Sequence, residues 1–164
     1  MWSLGESIYS VIFCCMGFLG SFLLFNFCLL QNGGINIIMM KETTHFISYY
    51  HEEDINLAER FIALLEDKHG EIQESFGFAR ETQKYCFQIC NSVDEYIIKT
   101  GKKKEEYQSW MVGFSNYESF TITILSPHVV ADRTMSDMEK VAIHELVHMM
   151  FDDFTNVSED DAEP

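Results

Sequence analysis

The sequence has 164 residues, 47% of them hydrophobic, and a formal net charge of −15. That length suits one domain of ordinary size with a core of its own. The acidity excludes a nucleic-acid partner, whose phosphates would be repelled, and Lys102–Lys104 read as a solvated loop rather than a basic surface.

In chain order the first feature is IYSVIFCCMGFLGSFLLFNFCLL, residues 8–30, which carries no charged side chain. At about 1.5 Å per residue, a helix of this length crosses a bilayer. The expectation is a membrane anchor, on a side that the few flanking charges do not fix. Two other readings stay open. A cleaved signal peptide fits less well, because no basic region precedes the run and no small-residue site follows it. Alternatively, residues 1–38 are an extension from an upstream start, since Met39-Met40 stands directly before the globular pattern; the domain would then be cytoplasmic. The expected organisation is a hydrophobic segment over 1–38, a globular domain over 39–155 and an acidic tail over 156–164.

HFISYY (45–50) reads as a strand. A helix follows from Asp54 as N-cap, with Leu57, Phe61, Leu64, Leu65, Ile72 and Phe76 at helical spacing. His69-Gly70 interrupts or dents it. YCFQIC (85–90) reads as a second strand. Its cysteines, Cys86 and Cys90, would lie roughly 13 Å apart, too far for a disulfide, so both are expected as free thiols. Ser92-x-x-Glu95 is a capping box that opens a short helix stopped at Gly101. WMVGFS (110–115) and SFTITILSP (119–127) read as two strands joined by a tight turn at Asn116-Tyr117, the second exposed on one face. Ser136-x-x-Glu139 is a further capping box, for a helix from about Asp137 to Phe154. After Lys140 there is no Lys or Arg, and the acidic residues beyond the helix read as a solvated, partly disordered tail. The order β-α-β-α-β-β-α predicts an α+β domain, with helices packed on a mixed sheet.

The last helix carries His144-Glu145-Leu146-Val147-His148. Residues four apart share a helix face, so the two imidazoles can hold one ion, at about 2.0–2.1 Å each if it is zinc. Glu145 is about 100° round from His144, near the open side of such an ion, where it can take a proton from water. A metal would lower the pKa of that water towards roughly 7. A helical wheel puts Val141, His144, Glu145, His148 and Asp152 on one side. Ile143, Leu146, Val147, Met150 and Phe154 fall on the other, towards the core. His45, His51, His69 and His128 share no ligand spacing and read as surface or satisfied histidines.

HELVH on an apolar helix, after an amphipathic helix and a strand ending in Ser126-Pro127, resembles the zincin metallopeptidases. It is most similar to peptidase MA-like domains of the gluzincin type, over most of residues 43–154. The resemblance implies a zincin-like N-terminal subdomain, Zn2+ held by His144 and His148, Glu145 as general base, and a peptide or protein substrate. It also implies that Phe120–Leu125 lies along the cleft and pairs with an extended peptide. In that family the third ligand is a glutamate on a following helix. No such helix follows here, and the third ligand is not identifiable. Glu159 and Glu163 are the only glutamates after the motif, and the chain reads as ending just before the last ligand. The alternative is a non-catalytic peptidase-like binding module or relic, anchored to a membrane.

Overall fold

A computed structural model describes residues 26–31, 34–77 and 83–160. Short runs rich in β-branched and aromatic residues form six strands: β1 (Asn26–Gln31), β2 (Gly34–Glu42), β3 (Phe46–His51), β4 (Tyr85–Cys90), β5 (Gly113–Asn116) and β6 (Thr121–Leu125). Segments with helical periodicity form α1 (Ile55–Ser75), α2 (Val93–Thr100) and α3 (Met135–Asp160). The sheet order is β1-β2-β3-β4-β6-β5. β3, β4 and β6 run parallel, while β1, β2 and β5 are joined antiparallel. The domain is α+β with a mixed sheet, as its element order predicts.

Alternation along β3 and β4 buries Phe46, Tyr50, Tyr85, Phe87 and Ile89. α1 adds Ala58, Phe61, Ile62 and Leu65, and packs against α3. It is continuous through His69-Gly70, with the His69 ring buried. Asp54 stands at the α1 N-terminus without capping it. Its carboxylate instead accepts a 2.9 Å hydrogen bond from Ser126 Oγ, which ties α1 to the end of β6. Cys86 and Cys90 are free thiols.

Several boundaries differ from the sequence expectation. Asn26–Leu30, the end of the apolar run, are strand rather than helix, and β2 crosses residue 38. Residues 8–25 lie outside the described residues. Among the described residues, no helix is long and apolar enough to cross a membrane. β6 is not exposed on one face: Thr123 and Leu125 are buried, since the strand lies between β4 and β5 and is packed by both α2 and α3. The β5–β6 connection is four residues rather than a tight two-residue turn, and Phe120 closes it in the left-handed region, φ 49°.

α3 starts two residues earlier than expected and is capped by Thr134 rather than Ser136. The Asp137 N–H donates to Thr134 Oγ1 at 3.2 Å, and the Thr134 N–H donates back to the Asp137 carboxylate at 3.1 Å. Glu139 is therefore free to pair with Arg60 across α1 and α3, at 2.6 Å. At its other end α3 runs on to Asp160, into the stretch expected as tail. α2 begins as read, with Ser92 Oγ accepting from the Glu95 N–H, although the Glu95 carboxylate returns to the Asn91 N–H and not to Ser92.

Candidate metal centre

Met138, Ala142, Leu146, Met149 and Met150 form the buried line of α3. That line is rotated from the face expected on the sequence. Val147, counted there as a core residue, is 36% exposed, and Ile143 is only partly buried. The three methionines, long and adaptable, set the buried face. The opposite face carries His144 and His148, both exposed, as the wheel predicts.

The two histidines are brought together. His144 Nε2 and His148 Nε2 lie 2.9 Å apart, with the ring planes at 86°. Tetrahedral ligands at 2.0–2.1 Å from zinc lie roughly 3.3 Å apart. The observed separation is a few tenths of an ångström shorter than that and is a hydrogen-bond contact between the two exposed rings. Imidazole nitrogen is a donor type that suits zinc. Among the described residues, no group of three or more His, Cys, Asp or Glu side chains is placed to hold an ion. The Glu159 backbone lies about three turns past His148 on one continuous helix, roughly 16 Å along its axis. Glu163 lies outside the described residues.

Glu145 points where the sheet ends. A Cβ built on Gly113, in β5, would lie 2.9 Å from Glu145 Oε1 and 2.5 Å from Val141 Cγ1. Only glycine lets the strand approach the helix this closely. Tyr96, buried in α2, donates from its hydroxyl to the Gly113 carbonyl at 2.8 Å. Burial, and then the Glu145 carboxylate nearby, raise the Tyr96 phenol above its ordinary pKa. It therefore stays a donor.

The resemblance put Phe120–Leu125 along the cleft as a partner for an extended peptide. β6 is instead paired on both sides, by β4 and β5, so it has no free edge. β5 is the edge strand on this side of the sheet, and it packs on α3 as β6 does. The Leu125 N–H donates to the Val112 carbonyl, so Val112 faces β6. By antiparallel alternation the main-chain groups of Gly113 and Ser115 then face away from β6, the Gly113 carbonyl already taken by Tyr96. A cavity of about 410 Å³ opens between this strand and α3, lined by Trp110, Met111, Gly113, Val141, His144 and Glu145, and also by Arg133, Asp137 and Lys140. Sequence reasoning missed Tyr96, Gly113, Trp110 and Arg133. Their only signal was the glycine breaking an otherwise apolar strand.

The remaining histidines are structural in placement. His51 is buried and pairs with Glu95 at 2.8 Å. His128 faces Asp54 at 3.8 Å. His45 bonds Glu66 and stacks on His69 at 3.8 Å between ring centroids. His69 is not satisfied: both ring nitrogens are buried without a hydrogen-bond partner.

Comparison with known proteins finds no matching family model, no matching curated protein and no matching solved structure.

Proposed function

We propose that this chain is a zincin-like, zinc-dependent metallopeptidase domain that hydrolyses peptide bonds in a peptide or protein substrate. The observation that carries the reading is the convergence of His144 Nε2 and His148 Nε2 on the exposed face of α3, one residue from Glu145. His144 and His148 would hold the ion. Zinc would supply Lewis acidity, activating water and polarising the scissile carbonyl. Glu145 would take the proton of the attacking water and deliver it to the leaving amine. Gly113 and Tyr96 keep the edge strand close to Glu145. The open main-chain groups of Ser115 would receive an extended substrate by strand addition.

A second reading has its own observation: the described residues offer two ligands and no third. In that case the cleft binds peptides without cutting them. One experiment separates the two. Metal analysis of the full chain should find zinc at one equivalent, lost in His144→Ala and in His148→Ala. Peptide hydrolysis should accompany it and vanish in Glu145→Gln, which keeps the zinc. A parent chain that takes up no zinc overturns the peptidase reading. Zinc without Glu145-dependent hydrolysis favours the binding module.

A further inference from the structure

In so acidic a molecule, cations find partners easily. Most described Lys and Arg side chains face a carboxylate within 4.0 Å, and Lys102 sits 4.4 Å from the Phe114 ring centroid. Among the described residues, Arg133 alone makes neither kind of contact. It lines the cavity that reaches His144 and Glu145. A guanidinium on the same cavity as a proposed reaction centre, without a carboxylate partner, is a fork of donors whose geometry matches a carboxylate held by two parallel hydrogen bonds.

The rest of the cavity agrees. Lys140 adds a second positive charge, and it leans on Asp137 at only 3.6 Å. Asp137 accepts both Thr134 bonds on Oδ2 and turns Oδ1 towards Lys140, so neither oxygen is paired with Arg133. Trp110, 65% exposed, and Met111 offer an apolar wall with nothing packed over much of the indole. A volume of about 410 Å³ falls in the range of small-ligand pockets. Lys140 is set against Asp137, so the positive charge left without a carboxylate partner on this cavity is Arg133, beside an apolar wall; together they suit an amphipathic group ending in a carboxylate.

We propose that Arg133 is a specificity-determining residue, and that the cavity selects peptides presenting a carboxylate close to the bond held at His144 and Glu145. The inference rests on the cleft being the substrate site and deepens that reading. Two sources supply this chemistry: an acidic side chain within the peptide, and a free C-terminus.

The test reads Trp110 fluorescence in the full chain carrying Trp2→Phe, which leaves Trp110 as the only tryptophan. Short peptides are titrated in low salt, with and without added zinc. One set has both termini blocked and differs only in a central Glu, Gln or Lys. A further Gln peptide has its C-terminal carboxylate free. We expect a carboxylate-bearing peptide to bind about tenfold tighter, or more, than the blocked Gln peptide. The blocked Glu peptide shows that preference if the side chain is read, and the free Gln peptide if the C-terminus is read. Arg133→Gln should reduce it to near parity while leaving zinc uptake and far-ultraviolet dichroism unchanged. Equal binding of all peptides, no binding of any, or a preference that survives Arg133→Gln overturns the proposal. The readout needs no bond cleavage, so failure of the peptidase reading and failure of carboxylate selection remain separate results.

Discussion

At the scale of single residues, the closest tolerance in the site is at Gly113. A methyl group there meets Val141 Cγ1 at 2.5 Å, and Val141 has little freedom on its helix. Gly113→Ala should therefore destabilise the domain by about 1–3 kcal/mol in denaturant titration and displace the Glu145 side chain. Val141→Ala in the same chain removes the nearer obstacle, so the double variant should recover part of the loss; additive destabilisation would show that the contact is not the cause. His69 makes a prediction of a different kind. Burial first, and the neighbouring His45 second, lower its pKa from 6.5 to about 4, against a smaller opposing pull from Glu66. The folded state thus resists a proton that the unfolded chain accepts. The neutral ring's contribution is intact above about pH 6.5 and is lost as pH falls from there towards 4. Between pH 7 and pH 5 this amounts to about 2 kcal/mol. His69→Phe keeps a ring against Phe46 and Tyr85 and cannot titrate. Its stability should fall less than the parent's over that interval, by about that amount; equal losses would remove His69 as the cause.

At the scale of elements, the start of α3 turns on which of two overlapping spacings caps it, and only the second was expected from the sequence. T-M-S-D-M-E offers Thr134-x-x-Asp137 and Ser136-x-x-Glu139 as alternative caps, two residues apart. The first wins, with Glu139 drawn away to Arg60. Thr134→Ala should cost about 1 kcal/mol, whereas Ser136→Ala should fall within about 0.5 kcal/mol of the parent. The reverse order of these two variants in thermal melts would move the helix start. What was legible in the sequence follows the same logic. β4 and α2 were readable because their signals are local: alternation bounded by polar residues, a serine cap, a glycine at φ 67°. β1 and β2 were hidden by an apolar run long enough to suggest a membrane helix, although Asn32-Gly33 between them is a hairpin signal. The imidazole face of α3 was readable from spacing alone. Its buried face was not, because Val147 and Met149 are both apolar and only tertiary packing chooses between them. The β5 edge, the Tyr96 bond and the cavity lined by Arg133 join residues distant in sequence, which no local pattern encodes.

At the scale of the whole molecule, the candidate ion site links chemistry to stability. α3 is the longest helix and packs on α1, β5 and β6, so whatever fixes its exposed face acts on the core as well. His144 and His148 come within 2.9 Å only while that helix is formed. The unfolded chain has no such pair, so zinc should bind the folded state far better and stabilise it by mass action. At a free zinc concentration about a hundred times Kd the gain is about 2.7 kcal/mol, or roughly 5–10 °C in Tm for a domain of this size. Chelation should return Tm to its starting value. His144→Ala and His148→Ala should each abolish the zinc-dependent rise, because one imidazole cannot hold the ion alone at that concentration. Glu145→Gln should retain it, since the proposed role of that carboxylate is proton transfer and not ligation. This last variant divides the roles within the motif: a rise lost in Glu145→Gln would make Glu145 a ligand, and a rise kept in His144→Ala would place the zinc elsewhere in the molecule.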